Sequence, residues 1–394
     1  MKSKVSLPLA LLALVVTGCP LQAQAPAPAP PPGVTVVNLP MIIPAHPNAR
    51  PAAEIARVEV REARGVGGAV FTQSVPPEAG KVLQAVAVQI EKLHPGRLKS
   101  GRTEITFIGN IAPQEVPASG LALAVALDAA LGGWKPDPGF MAIGTFEADG
   151  DVQPVKDAIP RLQAALKAGA KRVVLTEKQV AQVTDLMVSA GPKMFAGTQF
   201  FAVNSYEDVR AIADLNPPGN TTKALASFAE VQQKLNAPGA KVEDVLKDED
   251  VKEALRQTMV AQPTNLSARL LLRITTGQFD KLSAEGTLFT IENLAPTIFG
   301  TVQSRAPGDV SKLSNSVVQA EIVRMNEAKQ HFDTRSLPLL DAVINYGELM
   351  RSYTERPPDS AMENAARIRS LSATAQGVIA ELTKFRAAQA PHRK

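Results

Sequence analysis

The 394-residue sequence has one cysteine, four histidines, one tryptophan and three tyrosines. A single cysteine excludes a disulfide within the chain. His46, His94, His331 and His392 are scattered, so neither a zinc-ligand spacing nor a thiol–imidazole peptidase is expected. Aromatic residues make up only 4%, and the cores must rest on Val, Leu, Ile and Ala. Charge of one sign is also scarce. The 42 Lys and Arg face 38 Asp and Glu, for a net +4, with no basic block or Arg/aromatic ladder. That balance speaks against a dedicated nucleic-acid binder. A phosphate-cradling loop is missing too: Gly80-Lys81 is followed by Val82, and Gly65-Val66-Gly67-Gly68 has no matching nucleotide context. No ATPase module and no cofactor are therefore expected.

What is present begins with an export signal. In residues 1–19, Lys2 and Lys4 form a positive start and Leu7 to Val16 a short apolar run. The run falls short of the ~20 residues that a membrane-spanning helix needs. Val16-Thr17-Gly18-Cys19 resembles a bacterial lipobox, in which the cysteine is lipidated. This implies a protein of the bacterial cell envelope, anchored at Cys19 and facing the periplasm. The alternative is an ordinary signal cleaved near Ala23, leaving a soluble periplasmic or secreted protein. Lipidation would join several acyl chains, giving the stable anchoring that one chain does not. An Ala/Pro tract ends at Gly33, and Pro40, Pro44, Pro47 and Pro51 follow. Residues 20–54 therefore read as an extended spacer.

From 55 to 215 strand and helix signals interleave. Arg57 to Arg61 alternates as a strand does, and Pro77 to Leu93 has helical spacing. Thr103 to Ile108 and Phe140 to Thr145 read as strands flanking an Ala/Leu-rich helix over Ala118 to Leu131. A helix over Asp157 to Lys167 closes at Gly169. Arg172 to Leu175 and Phe200 to Val203 are apolar runs of strand length, each followed by a helix. The unit is α/β or α+β.

Three segments carry a resemblance: VPASGLALAVALDAALGG (116–133), AIGTFEADGDVQP (142–154) and RLQAALKAGAKRVVL (161–175). In order and spacing they resemble the proteolytic domain of the Lon-type serine peptidases. Members show Gly-Pro-Ser-Ala-Gly before an apolar helix, then a Thr-Gly-Glu…Gly-x-Val-x-Pro hairpin. A Gly-Gly-Leu-Lys segment then opens a helix, and Gly-x-Lys-x-Val-x-Ile follows. The resemblance implies a Lon-like fold, a peptide-accepting groove and possible assembly into homo-oligomers. It also implies a Ser-Lys dyad, in which the lysine takes the proton of a hydroxyl that is otherwise a poor nucleophile. Carried over residue by residue, the serine position falls on Ala118. The lysine position falls on Ile159, counted from Pro154. A methyl cannot attack a carbonyl and a sec-butyl group cannot accept a proton, so a pseudo-peptidase is expected. Paired loss is also less costly than leaving one buried polar partner orphaned. The alternative is an active, ATP-independent endopeptidase using a shifted pair, Ser119 and Lys156. One residue along a helix turns a side chain by about 100°, which weighs against that alternative. Without it, Ser119 caps or lines the first helical turn and Lys156 is a surface charge.

Asn216-Pro217-Pro218-Gly219-Asn220 reads as a linker, and residues 216–394 read as an all-α domain. Helices are expected over Thr222 to Leu235 and Val242 to Gln262, and another opens at Asn265. The stretch VKEALRQTMVAQPTNLSARLLL weakly resembles tetratricopeptide hairpins, without a 34-residue repeat. Ile368, Leu371, Ala375, Val378, Leu382 and Phe385 form a heptad seam, read as a bundle's core face or a coiled coil. The expected whole is a Lon-like unit followed by a helical domain, binding a peptide or protein partner and held to a membrane by its lipid.

Overall fold

The computed structural model describes residues 32–43, 51–65, 67–147, 151–278, 281–304, 310, 313–356 and 358–389. Cys19 and its lipobox lie outside the described residues. The first elements are β1 (Val34–Ile42), β2 (Ala53–Ala63), β3 (Gly68–Phe71), α1 (Pro77–Leu93), α2 (Arg97–Ser100) and β4 (Arg102–Ile108). A 3-10 turn over Pro113–Ser119 enters α3 (Gly120–Gly132), followed by β5 (Phe140–Ile143) and a hairpin of β6 (Thr145–Phe146) and β7 (Val152–Gln153). Next come α4 (Ala158–Lys167), β8 (Arg172–Thr176), α5 (Val180–Ala190), β9 (Gln199–Val203) and α6 (Tyr206–Ala213). From there the named elements are all helical. They are α7 (Gly219–Asn236), α8 (Val242–Val245), α9 (Glu249–Ala261), α10 (Leu266–Thr275), α11 (Ala284–Leu294), α12 (Pro296–Ser304), α13 (Asn315–Ala328), α14 (Leu337–Glu355) and α15 (Ala361–Gln389). A mixed α/β part followed by an all-helical region is the fold class the sequence predicts.

Seven strands form one sheet in the order β3-β4-β2-β1-β5-β8-β9. β1, β2 and β4 are antiparallel neighbours, whereas β5, β8 and β9 run parallel. Parallel strands joined by helices are covered on both faces and read as continuous apolar runs; β5 (FMAI) and β9 (QFFAV) are buried throughout. Their side chains alternate between two cores. Phe140, Ala142, Phe201 and Val203 join α1, α3 and α6 on one face. Met141, Ile143, Phe200 and Ala202 join α4, α5, α7, α9 and α10 on the other.

Two boundaries differ from the sequence reading. The segment read as a spacer contains β1, which lies between β2 and β5 at the middle of the sheet. Its prolines masked an apolar alternation, Val37, Leu39 and Met41, all buried. Pro40 is tolerated because β1 pairs with β5 only at Asn38↔Met141, so the strands have parted where proline lacks its donor. Nor does a core end at 215/216. Phe228, Val231, Leu255 and Leu266 pack in one cluster with Val173 and Phe200. The Phe200 N–H donates to Ser267 Oγ at 2.8 Å and the Ala202 N–H to the Thr264 carbonyl at 2.9 Å. These bonds cover an edge strand that would otherwise be open to pairing.

The helix expected over 242–262 is divided at Asp248, whose carboxylate caps α9 by accepting the Asp250 N–H at 2.9 Å. The third core, α11–α15, consumes the heptad seam inside the chain: Leu371, Val378 and Leu382 of α15 are buried with Tyr346 and Met350 of α14.

Candidate functional site

The region of interest lies where the 3-10 turn meets α3 and faces the start of α4. α3 is apolar all round and buried on nearly every side, as a central core helix must be. Its first turn is stitched to the hairpin. Thr145 Oγ1 donates to the Pro117 carbonyl at 2.7 Å, and the Leu121 N–H donates to the Gly144 carbonyl at 3.1 Å. Gly120 makes the approach possible. A Cβ there would lie 2.6 Å from Thr145 Oγ1 and 2.9 Å from Thr145 Cα.

Ala118 is half-buried in the 3-10 turn, and Ile159 is buried in the first turn of α4. Ser119 is buried, and its hydroxyl donates to the Val116 carbonyl at 2.6 Å. It precedes α3 but makes no side-chain cap, so of the two structural roles expected, lining the turn is the one seen. Lys156 is exposed ahead of α4, and no hydrogen bond joins it to Ser119.

What does join the two segments is Arg161, almost fully buried on α4. Its Nη2 pairs with Glu115 of the 3-10 turn. Nη1 donates to the Pro40 carbonyl of β1 at 3.0 Å, and Nε to the Lys156 carbonyl at 3.1 Å. One guanidinium thus fastens the turn carrying Ala118, the helix carrying Ile159, and a central strand. Sequence reasoning passed over it. The available signal was its position: with Ala158, Leu162 and Ala165 it falls on the apolar face of α4, where a charge must find a partner.

Asp128 carried the same kind of signal as the lone charge of α3. It is fully buried and meets His94 Nε2 at 2.6 Å, the Tyr206 hydroxyl at 3.0 Å and Arg210 Nε at 3.0 Å. Burial, and then the neighbouring Asp128 carboxylate, push the Tyr206 hydroxyl well above its ordinary pKa. Chemically, the region around 118 and 159 holds two alkyl side chains, an inward-bonded hydroxyl and a guanidinium–carboxylate pair.

No family model matches the chain. Partial similarity to curated proteins is found. The chain is 23% identical over 164 residues to an archaeal Lon protease of Thermoplasma volcanium, covering 42% of this chain and 24% of that protein. It is 27% identical over 114 residues to Lon protease 2 of Bacillus subtilis, covering 29% of this chain and 19% of that protein. An archaeal Lon protease of Archaeoglobus fulgidus is 23% identical over 129 residues, 33% of this chain and 21% of that protein. The chain thus spans about a quarter or less of the length of these relatives. Distant as they are, the matches support a Lon-like domain within it.

Proposed function

We propose that this chain is an exported, lipid-anchored protein whose Lon-like domain no longer cleaves peptides and acts as a peptide- or protein-binding or scaffold module. The observation that carries the reading is the pair Ala118 and Ile159 at the positions where the Lon motif places its serine and lysine. The surroundings agree with it. The adjacent hydroxyl, Ser119, spends its proton on Val116, and an unactivated hydroxyl is a poor nucleophile. A lysine base must be kept neutral by burial, whereas Lys156 is exposed.

The full chain is expected to leave unfolded casein intact and to resist a serine-reactive probe. Ser119→Ala should lower stability by about 1 kcal/mol at most, the worth of one hydrogen bond, and change no activity. Probe labelling that vanishes in both Ser119→Ala and Lys156→Ala would establish the active, shifted pair instead. Anchoring is tested separately: a clickable fatty acid should label the wild type and not Cys19→Ser. Equal labelling of both, or a soluble product starting near Ala23, would refute the anchor.

A further inference from the structure

The helical bundle α11–α15 meets the sheet unit chiefly where α11 lies against α5. At that contact stands Asp185, a fully buried carboxylate. Among the described residues, both of its hydrogen bonds come from one residue of the bundle. The Ser283 N–H donates to Oδ1 at 2.9 Å and the Ser283 hydroxyl to Oδ2 at 2.5 Å. Ser283 in turn caps α11, accepting the Gly286 N–H at 2.9 Å. The approach is so close that a Cβ on Gly286 would lie 1.9 Å from Asp185 Cγ. The first turn of α11 therefore rests on the carboxylate itself.

Apolar contacts share the joint: Phe289 of α11 packs on the sheet-side core and Val188 of α5 on the bundle core. A cleft of about 610 Å³ borders Ser283 on the bundle side. A second, of about 490 Å³, separates the end of α5, α8 and α10 from Gln330 and His331. The surrounding charges do not neutralise Asp185. From α11 comes Glu285 and from the start of α4 Asp157, both acidic. Arg161 of α4 is turned to Glu115. Before α5, Glu177 pairs with Arg269 and Lys178 bonds Gln153; after it, Lys193 is exposed. Asp333, Arg335, Glu381 and Lys384 line the larger cleft, and Glu243, Lys247 and Lys252 the smaller. Among the described residues, none of these cations pairs with Asp185.

We propose that the Asp185–Ser283–Gly286 contact is a pH-sensitive clasp, holding the bundle firmly on the sheet unit in mildly acidic surroundings and loosening at neutral pH. A buried carboxylate without a counter-charge is costly to ionise, and ionisation sets it against Glu285. In agreement, burial holds Asp185 up at about 6, outweighing the two Ser283 hydrogen bonds, which favour the ionised form, and Glu285 adds a smaller push upward. Burial first, and then Asp157, also raise Glu285. For an acid raised in the docked state, the stabilisation is fully present below its ordinary value of 3.8 and is lost as pH rises to about 6.

The test is hydrogen exchange on the full chain, corrected for intrinsic rates. In the wild type, protection of residues 283–287 should fall about a hundredfold between pH 4 and pH 7, tenfold for each pH interval between the open and docked titrations. Protection of β9 should hold steady, which separates joint opening from global unfolding. Asp185→Asn should remove the dependence, and Glu285→Gln should shift the transition to lower pH. Should Asp185→Asn fail to fold, Glu285→Gln decides alone, and an unchanged transition in it overturns the clasp. Constant wild-type protection across the range, or a fall that persists in Asp185→Asn, does so as well.

Discussion

Arg161→Ala is expected to lower folding stability by about 3 kcal/mol, read as a lower urea midpoint at unchanged slope. The substitution strands Glu115 and leaves the carbonyls of Pro40 and Lys156 without their donor. The figure is set at the low end of what a broken buried pair costs, because the Glu115 side chain is 21% exposed and can turn to water. Arg161→Lys keeps the charge but lacks the planar fork that serves three acceptors at once, so about half the loss should remain. A midpoint unmoved by Arg161→Ala would show that the guanidinium does not brace the turn against α4 and β1.

Gly120→Ala should destabilise by about 2–3 kcal/mol, in the range of an overpacked core. The added methyl meets Thr145 Cα at 2.9 Å and the Phe146 nitrogen at 3.0 Å, and backbone atoms cannot rotate aside. Gly120→Val should prevent folding altogether. Combining Gly120→Ala with Thr145→Ala removes the 2.6 Å conflict with the hydroxyl but also the bond to Pro117. The double variant should therefore recover only part of the loss, and a double-mutant cycle should return a coupling of roughly 0.5–1 kcal/mol. Full stability in Gly120→Ala would mean that α3 and the hairpin can separate freely.

Local pattern carried much of the architecture. α1, α4 and β9 lie within a residue or two of where periodicity places them, because each declares its buried face in its own side chains. The sites where sequence reasoning stopped share a different property. Pro40 made β1 look irregular, although the position is harmless once β1 has parted from β5. Arg161 and Glu115 are 46 residues apart and Asp185 and Ser283 are 98 apart, so no window contains both partners.

By itself the sequence determined that a mixed α/β part is followed by helices. It also placed Ala118 and Ile159 in the segments that resemble the Lon motif, because identity and spacing are properties of the chain alone. Tertiary structure decided which face each helix covers, bringing α7, α9 and α10 onto the sheet rather than into a separate helical body. It decided that Ser119 bonds inward and that Arg161 ties the 3-10 turn to α4 and β1. It also set the single carboxylate of Asp185 between the sheet unit and the bundle. Burial and hydrogen bonding are settled by whichever group arrives alongside, and that depends on packing across the whole fold.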